Sequence, residues 1–218
     1  MDSINEKFER KTKYDSKQQS LCDGYTTLNE KLRLDGSTVL VGDSIIEHWT
    51  PELFFNYEAA TGSRVVNRGI GGDTSDRLLE RLTENVTGIS ARNIAILVGT
   101  NDFGMGAPVE FAYCNIERAI NLIKSTLPNV NIVLISVLPV NSKVQLISIV
   151  GKRSNELIDE LNLKLEKLAE ATGIAYYDAN RVLKDKKGRL NKDYTYDGLH
   201  PNALGYMQIT EGLISLFK

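Results

Sequence analysis

Short apolar runs alternate with longer amphipathic stretches along most of the chain. The first run, Thr38-Val39-Leu40-Val41, is β-branched and stops at Gly42-Asp43-Ser44, the pattern of a buried parallel strand. Ile45 to Trp49 then resumes an apolar spacing suited to a helix, which places Ser44 at a strand's carboxyl end. Pro51 interrupts the following stretch and predicts two short helices, with Phe54, Phe55 and Tyr57 expected in the core. A second strand is expected at Arg64-Val65-Val66-Asn67, followed by the glycine-rich loop Arg68-Gly69-Ile70-Gly71-Gly72-Asp73-Thr74. Asp73 or Thr74 should cap the next helix. Its spacing puts Leu78, Leu79, Leu82 and Val86 on one face and Arg77, Glu80, Arg81 and Glu84 on the other.

Asn93 to Val98 is apolar after its first residue, which predicts a central strand running into Gly99-Thr100-Asn101-Asp102. A helix from Pro108 to Thr126, a strand from Val130 to Ser136 and a loop through Pro139-Val140-Asn141 to Gly151 follow. Leu157, Leu161, Leu165 and Leu168 predict a helix over Ser154 to Ala171, closed by Gly173 as a left-handed cap. Ile174 to Asp178 is the fifth strand. A polar segment, Asp197-Gly198-Leu199-His200-Pro201-Asn202, precedes a closing helix through Ile209, Leu213 and Leu216. Ahead of all this, Leu21, Tyr25, Leu28 and Leu32 share one helical face in an otherwise polar stretch. Residues 1–36 are therefore read as an N-terminal helical extension and residues 37–218 as one domain. Five alternations of strand and helix predict an α/β fold, a three-layer α/β/α sandwich with a five-stranded parallel sheet and right-handed crossovers. The flavodoxin-like strand order 2-1-3-4-5 is the commoner solution for five strands.

Composition narrows the classes of function. At 218 residues, with 42% hydrophobic and 25% charged residues, the chain has ordinary globular values. A formal charge of −2 offers no basic excess for phosphates, so nucleic acid is not an expected partner. Cys22 and Cys114 are too few for a disulfide scaffold or a cysteine-built zinc site, and are read as idle or buried thiols. Met1 to Lys7 lacks the basic and apolar regions of a signal peptide, and no apolar run reaches the ~18 residues of a membrane span. A soluble, cytoplasmic protein is expected.

The strand ends bring Ser44, Gly71-Gly72-Asp73, Asn101-Asp102 and Asn141 to one rim of the sheet, where open α/β sheets bind ligands. A nucleophilic serine needs a base, and the chain has two histidines. His48 follows Ser44 by one helical turn, but Glu47-His48-Trp49 offers no carboxylate placed to fix its tautomer. His200 has Asp197 three residues before it, so one turn of backbone lets that carboxylate accept from Nδ1 and leaves Nε2 free. The competing reading is a helix start in which Asp197 or Asn202 caps and His200 is solvated. Three groups suit a developing oxyanion: the Ser44 N–H, the Gly72 N–H and the Asn101 side-chain amide. Asp43 and Asp102 read as loop and cap organisers, since a carboxylate beside an oxyanion opposes it. The chain lacks G-x-G-x-x-G, a P-loop, G-x-S-x-G and H-x-x-x-H, which argues against nucleotide, α/β-hydrolase and zinc chemistry.

Gly42-Asp43-Ser44, Asn67-Arg68-Gly69-Ile70-Gly71-Gly72-Asp73, Gly99-Thr100-Asn101-Asp102 and Asp197-Gly198-Leu199-His200-Pro201, in that order, resemble the SGNH (GDSL) hydrolase family. The likeness covers about residues 37 to 217. The Gly-Ile-Gly-Gly-Asp block is most similar to the branch holding the platelet-activating-factor acetylhydrolase catalytic subunits and bacterial relatives. The resemblance implies a flavodoxin-like fold and ester hydrolysis without metal or cofactor. It also implies Ser44 as nucleophile, His200 and Asp197 completing a triad, and Gly72 and Asn101 joining the Ser44 amide in an oxyanion hole.

The expected function is a serine esterase acting on a small-molecule acyl ester, with short acyl groups such as acetyl on a sugar or lipid favoured. Phe103, Met105 and the apolar residues Val144, Leu146, Ile147 and Ile149 are candidate substrate contacts. The loop carrying the last four reads equally well as buried or partner-facing. Acyl transfer through the same acyl-enzyme, and a non-catalytic carbohydrate- or partner-binding role, are the alternatives. The sequence leaves assembly as a homodimer open.

Overall fold

A computed structural model of the chain describes residues 14–145 and 148–218. Helix α1 (Ser16–Lys31) comes first, and its N-cap Asp15 forms a capping box with Gln18. Strand β1 (Thr38–Gly42) leads through Asp43 into the short helix α2 (Ser44–Glu47), whose first backbone donors Asp43 caps from Ile45 N. A 3-10 turn (Pro51–Phe54), helix α3 (Phe55–Thr61) and strand β2 (Val65–Gly69) follow. Helix α4 (Ser75–Leu82) runs into a π-turn (Thr83–Thr87) and strand β3 (Asn93–Leu97). Then come α5 (Thr100–Met105), α6 (Val109–Thr126), β4 (Asn131–Ile135), α7 (Asn155–Thr172) and β5 (Ala175–Tyr177). Helix α8 (Ala179–Leu183), a 3-10 turn (Lys192–Tyr194) and α9 (Ala203–Ile214) complete the chain.

The five strands pair in parallel in the order β2-β1-β3-β4-β5, as the alternating pattern predicts. Side chains alternate between the two faces, so consecutive strand residues serve different cores. Val39, Val41, Ile94, Ile96, Ile132 and Leu134 pack with α4, α6 and α7. Leu40, Ala95, Leu97, Val133 and Ile135 pack with α2, Trp49, Phe54, α8 and α9 on the opposite face. Register decides where the functional segments emerge. Gly42 lies opposite both Gly69 and Leu97, so β1, β2 and β3 end level, and Ser44, Gly71 and Asn101 leave the sheet side by side.

Several sequence expectations change in three dimensions. Phe55 is 57% exposed rather than in the core, whereas Phe54 and Tyr57 are buried. Arg77 and Arg81, assigned to the solvent face of α4, are 5% and 3% exposed. The reason is a buried partner: Arg81 Nε donates to Asp73 Oδ2 at 2.7 Å, an arrangement that periodicity cannot announce. Asp73 is therefore no cap. Thr74 occupies the N-cap position of α4 but its hydroxyl donates to Asp76 Oδ1 and caps no backbone N–H, and Asp102 from α5 accepts from Ser75 N and Ser75 Oγ instead. The second strand begins one residue late and runs on to Gly69. In α1, Leu28 is exposed, as is Leu32 just beyond its end, and Cys22 is the buried residue, donating to Asn85 Oδ1. The closing helix stops before Leu216. Gly173 does end α7 in the left-handed conformation, at φ 69°.

Candidate active site

Ser44 is the first residue of α2, where a helix leaves its own N–H groups unsatisfied. Its Oγ lies 2.9 Å from His200 Nε2, and His200 Nδ1 lies 2.7 Å from Asp197 Oδ2. The other carboxylate oxygen, Oδ1, accepts from the backbone N–H groups of Leu199 and His200, each at 2.8 Å. Burial opposes the Asp197 carboxylate, but these hydrogen bonds from His200 and Leu199 outweigh it and hold its pKa below the ordinary value. Thr195 Oγ donates to His200 O at 2.7 Å and accepts from Gly198 N at 2.9 Å, which closes the turn. Gly198, at φ 85°, is needed there, because a Cβ would stand 2.1 Å from Asn141 O. Asn202 caps α9 by accepting from Gly205 N. Asn202 is thus the cap that the competing reading offered, but His200 is not solvated: it lies between Ser44 and Asp197.

His48 does not reach Ser44 Oγ by hydrogen bond; its ring sits 5.4 Å from the His200 ring at the cleft edge. The Tyr196 ring stacks on the other histidine at 6.4 Å. Asn101 is held by both ends of its amide, Nδ2 donating to Asp73 O at 2.9 Å and Oδ1 accepting from Arg153 Nη2 at 2.7 Å. Gly71 lines the cleft, and its N–H donates to Glu47 Oε2, so that donor is already engaged. Gly72 is the loop glycine whose N–H has no hydrogen bond among the described residues.

The cleft around Ser44 has a volume of about 400 Å³. Its walls include Lys17, Gln18 and Leu21 of α1 together with Glu47, Arg153 and Leu199. Gln18 Nε2 donates to Gly71 O at 2.7 Å and Tyr25 OH to Gly69 O at 2.8 Å, so α1 is fastened onto the glycine-rich loop. Phe103 and Met105 are not in this wall. Phe103 is 1% exposed within the core on the α4, α6, α7 side, and Met105 is 38% exposed outside the cleft. For Phe103 the reason is helical phase: Asn101, the second residue of α5, lines the cleft with Ser44, and a residue two places later points to the opposite side of the helix, whereas Met105 is the last residue of α5, a turn further from Ser44. Leu146 and Ile147 lie outside the described residues. Asn141, placed on the rim, is buried and braces the His200 turn, its N–H donating to Gly198 O.

Gln18, Glu47 and Arg153, which line the cleft, are not among the candidates the sequence offered. Only Glu47 carried a trace of its role, one turn after Ser44. A larger cleft of about 680 Å³ between α3 and α9 contains no serine and base together. Among the described residues no group of three His, Cys, Asp or Glu side chains could hold a metal ion, and no helix is long and apolar enough to cross a membrane.

The arrangement has counterparts in known proteins. Residues 40–208 match the model of the GDSL-like Lipase/Acylhydrolase family. The N-acylneuraminate cytidylyltransferase of Escherichia coli O18:K1:H7 (strain RS218 / NMEC) is 29% identical over 181 residues, 82% of this chain, although the chain spans only 40% of that protein's length. Platelet-activating factor acetylhydrolase IB subunit alpha2 of Homo sapiens is 29% identical over 185 residues, covering 82% of this chain and 74% of that protein. A solved Streptococcus pneumonia structure named for platelet activating factor is 34% identical, covers 92% of each chain and superposes with a TM-score of 0.81.

Proposed function

Given that the chain belongs to the GDSL-like lipase/acylhydrolase family, and is therefore a hydrolase, we propose that it cleaves carboxylic esters through an acyl-enzyme on Ser44. The observation that carries this reading is the hydrogen-bonded line from Ser44 Oγ to His200 Nε2 and from His200 Nδ1 to Asp197 Oδ2. His200 takes the Ser44 proton as Oγ attacks the acyl carbonyl, then returns it to the departing alcohol oxygen as the C–O bond breaks. Water repeats the sequence: its proton goes to His200, its oxygen to the acyl carbon, and the proton returns to Ser44 Oγ as the acid leaves. Asp197 keeps Nδ1 protonated and supports the imidazolium in each half-reaction. The Ser44 and Gly72 N–H groups and the free hydrogen of Asn101 Nδ2 are the donors for the oxyanion.

The substrate is read as a short acyl ester, such as acetyl, on a sugar or lipid alcohol. The modest cleft supports a small acyl group, and Lys17, Gln18 and Glu47 at its wall supply polar contacts for the alcohol portion. The name of the human relative, an acetylhydrolase, points the same way. No nucleotidyl transfer is carried over from the E. coli relative, most of whose length this chain does not cover. On this reading residues 1–36 are an addition to the hydrolase domain that contributes α1 to the cleft wall.

Hydrolysis of p-nitrophenyl acetate tests the proposal. Ser44→Ala and His200→Ala should each lower kcat by ~10⁴ or more, and a serine-directed phosphonate should label the natural protein but not Ser44→Ala. Asn101→Ala should lower kcat by ~10²–10³ with little change in KM. His48→Ala should retain most activity. Activity that survives in His200→Ala and disappears in His48→Ala overturns the choice of base.

A further inference from the structure

The Arg153 side chain reaches the cleft from the segment just before α7 and is fixed along its whole guanidinium. Nε donates to Thr100 O at 2.9 Å, Nη1 to Val150 O at 3.0 Å and Nη2 to Asn101 Oδ1 at 2.7 Å. Room for it exists because residue 104 is glycine. A Cβ on Gly104, one turn along α5, would stand 2.5 Å from Arg153 Nη2 and 2.6 Å from its Cζ.

An asparagine amide can present either its oxygen or its nitrogen to a ligand, and the two choices have opposite electrostatic consequences for an oxyanion. Here neighbours on both sides decide it. A guanidinium has only donors, so the atom facing Arg153 must be Oδ1. The Asp73 carbonyl has only acceptor capacity, so the atom facing it must be Nδ2. One Nδ2 hydrogen is used in that bond, and the second is left for a ligand. A fixed cation on Oδ1 also draws electron density from the amide, which makes the remaining N–H a stronger donor. Without Arg153, rotation of the amide can turn the negative end of its dipole toward the reacting carbonyl.

We propose that Arg153 is a positioning residue that sets the orientation and donor strength of Asn101 in the oxyanion hole, in a space that Gly104 keeps open. This rests on the reading of Asn101 as an oxyanion donor. Arg153 acts through Asn101, and its contribution belongs to the transition state rather than to substrate binding.

Steady-state kinetics on p-nitrophenyl acetate with Arg153→Met, Arg153→Lys, Gly104→Ala, Asn101→Ala and the double variant Arg153→Met/Asn101→Ala test it. Arg153→Met should lower kcat by about 10–100-fold, within the range of a weakened oxyanion donor, with KM within about twofold. Arg153→Lys should recover part of that loss. Gly104→Ala, which keeps both the Arg153 and Asn101 side chains but pushes the guanidinium from its position, should lower kcat in the same sense. The double variant should be no slower than Asn101→Ala alone, because the partner through which Arg153 acts is already gone. Losses that multiply in the double variant, or a rise in KM at unchanged kcat, overturn the proposal. Should Arg153→Met fail to fold, as judged by its thermal transition, Gly104→Ala and Gly104→Ala/Asn101→Ala form the same cycle and decide it. If Asn101→Ala itself leaves kcat unchanged, it is the oxyanion reading that fails; if Asn101→Ala is slow while Arg153→Met and Gly104→Ala are not, only the role of Arg153 fails.

Discussion

Asp43 is enclosed at the end of β1, and its two carboxylate oxygens have different surroundings. Oδ1 accepts from Ile45 N at 2.9 Å and caps α2, while Oδ2 is buried without a hydrogen-bond partner among the described residues. Burial pushes its pKa up to about 7; the Ile45 bond opposes this, and the Asp73 and Asp102 carboxylates add to it. The sign for stability follows. A folded pKa above the ordinary 3.8 means that the native state holds the proton more tightly than the unfolded chain, so stability falls as pH rises from about 4 to about 7. Asn at this position keeps the capping oxygen and never becomes charged. Asp43→Asn is therefore expected to raise Tm more at pH 8 than at pH 5, by roughly 2–8 °C, measured in thermal melts at the two pH values. An equal change at both would show that Asp43 does not titrate in this range. The capping role itself was readable in the sequence, since Asp before a short helix has few other uses; the stranded second oxygen was not, because it depends on what covers it.

Among the elements, α1 is held in an unusual way for a surface helix. Only Cys22 is buried along its 16 residues, so apolar packing contributes little, and an isolated helix of that length is marginal in water. Its attachment is polar: Gln18 to Gly71 O, Tyr25 to Gly69 O, and Tyr14, just ahead of the helix, to Asp73 Oδ1 at 2.7 Å. The double variant Gln18→Ala/Tyr25→Phe should weaken the local attachment by ~1–3 kcal/mol, two hydrogen bonds' worth. Native-state hydrogen exchange checks it: amides of α1 should exchange faster while those of β3 keep their protection. Uniform acceleration across the sheet would mean that α1 is integral to global stability. Helices with strong apolar periodicity, α6 and α7, were legible almost to their ends. The α1 face was misjudged because Tyr25 and Gln18 use their polar tips, and hydrophobic spacing carries no record of that. In α4 the same blindness assigned Arg77 and Arg81 to solvent.

At the scale of the molecule, Arg81 ties together segments distant in sequence. It pairs with Asp73 at 2.7 Å with both side chains almost fully buried, and its Nη2 donates to Gly42 O at 3.1 Å. Asp73 in turn accepts from Tyr14, and its carbonyl accepts from Asn101. The end of β1, the glycine-rich loop, α1 and the start of α5 therefore share one buried polar junction directly behind the cleft. Arg81→Met takes the guanidinium from the buried Asp73 carboxylate, leaving the Tyr14 hydroxyl on Oδ1, and should cost about 3–5 kcal/mol in urea denaturation. Adding Asp73→Asn should recover part of the loss, because the stranded charge is gone. A loss under about 1 kcal/mol would show that this junction contributes little to holding the rim together.

Sequence alone determined the elements and the chemistry each strand end carries. A buried parallel strand must be a short apolar run, a left-handed cap favours glycine, and Asp197-Gly198-Leu199-His200 can close a carboxylate onto its own imidazole within one turn. These are local requirements, and local composition records them. Tertiary structure decided which residues meet. That Ser44 faces His200 across 156 positions rather than His48 across four depends on how the level ends of β1, β2 and β3 and the turn before α9 come together. That Arg153 and Gln18 enter the site while Phe103 leaves it depends on helical phase and on where a loop lands. Such contacts join residues between about 20 and 160 positions apart, and at those separations the path of the chain through space, not the pattern along it, sets the distance.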